Sequence, residues 1–263
     1  MRFNGKVVIV TGAASGMGLA AAELFAAEGA VVAINDLDRD RVAEVARDIT
    51  CSGGKAVEIA GDVSDRAFGE GAVDEVIARH GRIDVLLNVA GYAAHGAAED
   101  YEEWERMVAV NMTGPYRLAR HVAKKSMIPN RSGAIVNISS LSGMVAHPYD
   151  IGYIAGKHGL VGVTKSLAVE WARYNIRVNC ICPGFTMTGI FAAVEKKEPE
   201  KFKTRARHVP LGRAAVPREI ASVMAFLASD DASYVTGLIM PVDGGQMALS
   251  SGWLPPEVAA APV

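Results

Sequence analysis

The sequence predicts an α/β fold in a single domain: a doubly wound parallel sheet with helices on both faces. Three observations carry this. Short β-branched runs alternate with helical patterns along the whole chain, the order that builds parallel sheets from crossover units. The strand-like runs are apolar throughout rather than at every second position, as expected where both faces are buried. And 263 residues, 50% of them hydrophobic, suffice for one large core, with no repeat and no linker long enough to divide it.

Residues 6–10 (KVVIV) form the first expected strand and end at Thr11-Gly12; 16–28 then place Ala and Leu at helical spacing up to Gly29. The second strand is 31–35, the second helix 39–49, the third strand 57–60 and the third helix about 65–79. Residues 83–88 give a fourth strand, and a helix beginning near Tyr101 runs past Asn111. The fifth strand is 134–139, a long helix covers 152–173, and the sixth strand is 176–181. A helix over 217–228 and a strand over 238–242 complete the pattern. Two segments break it: 186–209, expected as a lid inserted into a 1–249 domain, and 250–263, a tail rich in Pro and Ala.

Charge nearly balances, with 27 basic against 29 acidic residues for a formal −2, so no global field favours nucleic acid or an anionic membrane as partner. No apolar run reaches the roughly 20 residues of a membrane span, and the first residues lead into a strand without a leader pattern; a soluble cytoplasmic protein is expected. Cys51, Cys180 and Cys182 lack the spacing of a zinc site or a disulfide framework, and no metal is expected. Cys180 and Cys182, two apart in a strand, share a face as small core residues.

The first strand-to-helix turn contains Gly12, Ser15, Gly16, Met17 and Gly18. Glycines there let the backbone turn tightly and approach a pyrophosphate, to which the helix N-terminus offers amides and a positive dipole end. Asp36, followed by Leu37, lies just past the second strand, where a carboxylate accepts bonds from ribose hydroxyls and repels a 2′-phosphate. With no Arg or Lys at 34–38, NAD is the expected cofactor, although Arg39 and Arg41 are near. Asp62-Val63 after the third strand suits an adenine, and Asn88-Val89-Ala90-Gly91 after the fourth allows close approach. All four sites fall at C-terminal strand ends, where such sheets bind ligands.

Tyr153 and Lys157, four apart on one helix, share a face. An ammonium and a nicotinamide cation beside a phenol stabilise its phenolate and equip it for proton transfer. Ser140 precedes Tyr153 by 13 residues and can hold a substrate oxygen beside the phenol; Ser139 and Ser142 compete for that role.

At this point the chain resembles the short-chain dehydrogenases/reductases, of the type with about 250 residues and a Rossmann-like sheet. The resemblance rests on residues 11–18, Asp62, Asn88 to Gly91, Asn111, Ser140, Tyr153 to Lys157, Asn179, Pro183-Gly184, Thr188 and Asp243 to Gly245. It implies Tyr153 as general acid/base, Lys157 as the group that lowers its pKa and binds the nicotinamide ribose, and Ser140, favoured by the spacing, as the group polarising the substrate oxygen. It implies that Asn111 kinks its helix and holds a water leading from Lys157 to solvent. Pro183, Gly184, Thr186 and Thr188 would border the carboxamide. The chain departs from the family pattern at Val89, often Asn; at Gly156, often Ser, where glycine costs the helix about 1 kcal/mol; and in its longer tail. A homotetramer is implied, through the helices of Asn111 and Tyr153 and through the last helix and strand.

The substrate is less legible. Tyr92, Met144, Val145, Phe185, Met187, Ile190 and Phe191 would line an apolar pocket, with His95, His147 and Ser142 as polar groups and Tyr149 as wall or core. Residues 195–208 hold six cations, among them Arg205 and Arg207, against three anions; either arginine can clamp an acidic substrate, or the segment is a solvated helix. The expected activity is NAD-dependent interconversion of a secondary alcohol and a ketone. The alternatives are a 3-oxoacyl-thioester reductase, which the acid at 36 disfavours, and a catalytically silent nucleotide-binding sensor, which the intact Asn111, Ser140, Tyr153 and Lys157 disfavour.

Overall fold

The computed structural model describes residues 1–188, 197 and 199–249; the tail and, in the lid, Ile190, Phe191, Glu195, Lys196 and Glu198 lie outside the described residues. Seven parallel strands form one sheet: β1 (Val7–Thr11), β2 (Val31–Asn35), β3 (Lys55–Glu58), β4 (Val85–Asn88), β5 (Gly133–Ile138), β6 (Ile176–Pro183) and β7 (Ile239–Val242). Their order is β3-β2-β1-β4-β5-β6-β7, so chain direction across the sheet reverses between β1 and β4 and opens a crevice at their C-terminal ends.

The uninterrupted apolar runs have a simple cause: each strand feeds two cores. Val8, Val10, Val32, Ile34, Leu87 and Val136 face α1 (Gly16–Ala27), α2 (Arg39–Cys51) and α7 (Pro217–Ala228). Their neighbours Val7, Ile9, Ala33, Leu86 and Ile135 face α3 (Arg66–His80), α4 (104–130) and α5 (Ile151–Trp171). The lid helix α6 (Pro199–Ala206) sits apart, with Ala206 joining Phe185, Val209 and Ala214 in a small separate cluster.

Several boundaries shift from the sequence expectation. The third strand begins at Lys55 because the Gly53-Gly54 turn returns the chain early, and its hydrogen bonding continues beyond the strand where Ile59 N–H donates to Ile34 at 3.0 Å. The Asn111 helix starts at Trp104 rather than near Tyr101. Ala98–Asp100 takes up one tight turn, and the Tyr101 hydroxyl donates to the Ala94 carbonyl. No helix among the described residues is long and apolar enough to cross a membrane.

Candidate active site

The turn after β1 is built from backbone. A Cβ on Gly12 (φ +65°) would lie 2.9 Å from Ala90, and one on Gly18 would lie 2.0 Å from the Gly12 carbonyl oxygen, so side chains are excluded from this cradle. Ser15 is extended and its hydroxyl makes no capping bond, leaving the first-turn amides of α1 without a side-chain partner. A surface of backbone amides at a helix N-terminus fits a pyrophosphate. The Thr11 hydroxyl accepts from Val89 N–H (2.9 Å) and Ala90 N–H (3.1 Å), locking the ends of β1 and β4 across the crevice. Sequence reasoning named Thr11 within the turn motif but gave it no role of its own; its position as the last residue of a strand beside the crevice was the available signal.

Asp36 accepts from Ala14 N–H at 3.1 Å and from Leu37 N–H at 2.8 Å, which fixes the carboxylate at the rim with Leu37 exposed. Arg41 reaches the same rim, donating to the Ala14 carbonyl at 3.3 Å and pairing with Glu44. Asp62 is already engaged: Ser64 donates to it through N–H and hydroxyl, and Arg106 pairs with it at 2.7 Å. Burial alone would raise the Asp62 carboxyl, but these three donors hold it below its ordinary value. Asn88 is buried, donating to the Asn137 side-chain oxygen at 2.8 Å, and Asn137 donates to the Thr164 hydroxyl at 2.9 Å. That ladder ties β4, β5 and α5 together, so the side chain of Asn88 serves the scaffold. Val63 sits with its carbonyl 2.7 Å from where a Cβ on Gly114 would stand, which accounts for the glycine there.

After β6, Gly184 N–H donates to Val242 at 3.0 Å, and a Cβ on Gly184 would strike Asp243 at 2.7 Å. Pro183 pairs with Val242, the buried Thr186 donates to the Gly184 carbonyl, and Thr188 comes within 3.9 Å of a Cβ placed on Gly16. The segment leaving β6 thus arches back toward the N-terminus of α1.

Four chemically competent groups meet beside this crevice. Lys157 is buried, its Nζ donates to the Ile138 carbonyl at 2.9 Å, and it stands 5.5 Å from the centre of the Tyr153 ring. Burial brings its pKa down to about 8, opposed by the sulfurs of Cys180 and Cys182 beneath it. Ser140 favours the Tyr153 phenolate. The spacing predicts a phenol lowered by its lysine; in the structure burial dominates and raises it, with Ser140 opposing and Asp150 adding to the rise. Asn111 Nδ2 donates to the Met107 carbonyl at 3.1 Å and to the Tyr92 carbonyl at 2.8 Å, while its oxygen accepts from Tyr92 N–H at 3.2 Å. Taking that carbonyl widens the helix to a π turn at Ala109–Thr113, with Gly114 N–H bonded to Ala109. A Cβ on Gly91 would sit 3.3 Å from the Asn111 oxygen and 3.5 Å from Lys157 Nζ, so Gly91, Asn111 and Lys157 converge.

The competing serines separate cleanly. Ser139 is buried and donates to the Lys157 carbonyl at 3.0 Å, turned away from Tyr153. Ser142 Oγ is 2.7 Å from His147 Nε2 and accepts from Ser140 Oγ at 3.3 Å.

Tyr92 donates to Glu103 at 3.3 Å, His95 pairs with Asp150 at the start of α5, and Gly96 N–H donates to the Tyr149 carbonyl. Tyr149 has φ +68° and is 66% exposed, which excludes the core role. Met144 and Val145 are exposed, Met187 is half-buried, and Phe185 is buried with the Arg205 guanidinium 5.7 Å over its ring. Arg207 is exposed on the lid. Cys180 and Cys182 are fully buried, Cys51 is exposed, and no metal-binding group of three ligands occurs among the described residues.

Comparison with known proteins matches this arrangement to relatives over nearly the whole chain. A family model described as enoyl-(acyl carrier protein) reductase matches residues 12–247. The 3-oxoacyl-(acyl-carrier-protein) reductase of Thermotoga maritima is 40% identical, over 93% of this chain and 99% of the relative. The meso-2,3-butanediol dehydrogenase of Serratia marcescens is 39% identical, over 94% and 97%. Among solved structures, a gluconate 5-dehydrogenase from Burkholderia cenocepacia in complex with NADP and tartrate superposes with a TM-score of 0.89 at 32% identity, over 94% and 97% of the two chains.

Proposed function

The chain belongs to the short-chain dehydrogenase/reductase family, an oxidoreductase family acting on CH–OH groups, and from that premise we propose that it interconverts a secondary alcohol and a ketone using NAD. The observation that carries this reading is buried Lys157 standing 5.5 Å from the centre of the Tyr153 ring, with Ser140 favouring the phenolate. Tyr153 takes the proton of the alcohol, Ser140 holds the substrate oxygen, and Lys157 favours the phenolate and binds the nicotinamide ribose. Asn111 positions the Tyr92 backbone beside Lys157. A nicotinamide held at this crevice would supply the hydride acceptor for the carbinol carbon. Gly12, Ser15, Gly16, Met17 and Gly18 would cradle its pyrophosphate, Asp36 the adenosine ribose, and Ala90, Gly91, Pro183, Gly184, Thr186 and Thr188 the nicotinamide half.

Asp36 and the lack of a cation at 34–38 support NAD. The second reading, an NADPH-dependent 3-oxoacyl-thioester reductase, is favoured by the reductase relative and by Arg41 on the Ala14 carbonyl. We also propose a cytoplasmic homotetramer; exposed Tyr116, Val169 and Phe226 on the relevant helices support the assembly. The test is reduction of NAD+ at 340 nm near pH 9 over secondary alcohols, half acidic and half neutral, with NADP+ in parallel. Turnover with NAD+ is expected. Turnover confined to acidic alcohols assigns Arg205 or Arg207 a clamping role, and turnover with NADP+ alone refutes the role of Asp36.

A further inference from the structure

A side-chain network at the rim of the crevice takes no part in hydride or proton transfer. Gly61 N–H donates to the Asp36 carbonyl at 2.8 Å, which sets the next residue, Asp62, beside the rim proposed for the adenosine ribose. The Asp62 carboxylate is held there in a closed triangle of side chains. Its Oδ1 accepts from Ser64 N–H at 2.8 Å and from the Ser64 hydroxyl at 2.7 Å. Its Oδ2 accepts from Arg106 Nη1 at 2.7 Å, and the same nitrogen donates to Ser64 Oγ at 2.8 Å. Arg106 comes from α4, and its guanidinium carbon lies 5.9 Å from the centre of the Tyr92 ring, a second anchor. A carboxylate offers about four acceptor positions. Oδ1 has two donors and Oδ2 has one, so a single position stays open, on Oδ2, and the triangle fixes its direction. Arg106 and Asp62 are 39% and 30% exposed, and an ion pair that open to water adds little to stability.

We propose that Arg106 is a positioning residue for the base of the cofactor: with Ser64 it leaves Asp62 one fixed acceptor, which selects a purine with an amino group at position 6 over one with an oxygen there. The role rests on the NAD reading. An adenine amino group donates to the open Oδ2 position. The position-6 oxygen of hypoxanthine sets acceptor against acceptor, and the two repel. The N1–H of hypoxanthine suits a carboxylate that can turn toward it, but Arg106 and Ser64 hold this one still. Released from Arg106, Oδ2 regains a second open position and the carboxylate follows either base. Selectivity of this kind comes from a polar group that the wrong ligand leaves unpaired.

The test is binding to the full chain, without alcohol, of NADH and of reduced nicotinamide hypoxanthine dinucleotide, each followed by its nicotinamide fluorescence. The wild type should bind NADH at least about tenfold more tightly, as a hydrogen bond to a charged group allows. Arg106→Met should bring the ratio of the two dissociation constants below about threefold. A substitution that merely loosens the fold weakens both nucleotides alike and leaves the ratio in place. Ser64→Ala, which changes no charge, should narrow the ratio at least about twofold and serves alone if Arg106→Met does not fold. A wild-type ratio retained in either folded variant overturns the proposal while the NAD reading stands. A wild type that binds both nucleotides equally also overturns it, since Asp62 then reads no base. A wild type that binds neither overturns the NAD reading and the proposal with it.

Discussion

Replacing Lys157 with methionine should stabilise the folded chain at neutral pH while ending turnover. The ammonium is fully buried, and burial draws its pKa from 10.5 to about 8. At about 1.4 kcal/mol per tenfold change, holding that proton costs the fold about 3 kcal/mol at pH 7. Methionine removes this cost and fills similar volume, but it strips the Ile138 carbonyl of its donor, a loss of about 1–3 kcal/mol. A net gain of about 0–2 kcal/mol remains. The sharper test is pH. Between pH 8 and 10.5 the unfolded chain binds more protons at this position than the folded one, so wild-type stability gains from Lys157 as pH rises. The variant has no such gain, and its advantage should shrink by about 2.5 kcal/mol between pH 7 and pH 10. Urea unfolding of both proteins at one protein concentration measures the difference. A difference that stays flat or grows with pH would refute the reasoning.

Tyr153→Phe should cut kcat by about 10²–10⁴-fold while NADH binding, followed by fluorescence, survives; retained activity would mean another group moves the proton. Asp36→Ala removes the acceptor at the ribose position, worth about 1.5–3 kcal/mol for a charged partner, so the NAD+ over NADP+ ratio of kcat/KM should fall at least about tenfold. An unchanged ratio would show that cofactor choice lies elsewhere. Glu219 bonds Arg213 twice and then caps Val216 N–H, holding its carboxyl at about 2 against 4.5. Both side chains are exposed, so Glu219→Gln should cost less than about 1 kcal/mol. Because the folded carboxyl is depressed, that contribution is present above pH 4.5 and fades as pH falls toward 2; thermal melts whose wild-type advantage persists at pH 2 would contradict it.

The edge strands β3 and β7 are only partly buried, but the central strands β1, β2, β4, β5 and β6 were legible because each is buried on both faces, and apolar runs report burial directly. They report hydrogen bonding less well, hence the displaced start of β3 and the extension of β6 to Pro183, paired with Val242. Clustering of Gly12, Asp36, Asp62 and Asn88 was legible too, since parallel strands must present their C-terminal ends together. What these groups bond to was not. Arg106 reaches the loop residue Asp62 from α4, and the Asn88, Asn137 and Thr164 ladder joins three elements that no local pattern links. The π turn at Asn111 adds one residue to a single turn, a shift confined to too few residues for the apolar spacing to show. Gly156 reads in sequence as a cost to its helix. In the structure a Cβ there would lie 3.0 Å from that of Asn111, so the missing side chain brings the two helices together at the reacting groups.

The small cluster of Phe185, Ala206, Val209 and Ala214 gives the lid a foundation outside the two cores that hold the sheet. Lys157 and the strand ends beside it are anchored instead through the Asn88, Asn137 and Thr164 ladder and the Ile138 carbonyl. Inheritance can therefore act on the two parts at different speeds. Substitutions under the lid redraw the shape offered to a substrate at little risk to the folding of the sheet, whereas a substitution in the ladder disturbs every reaction the scaffold supports. A lineage built this way can change its diet while keeping its chemistry.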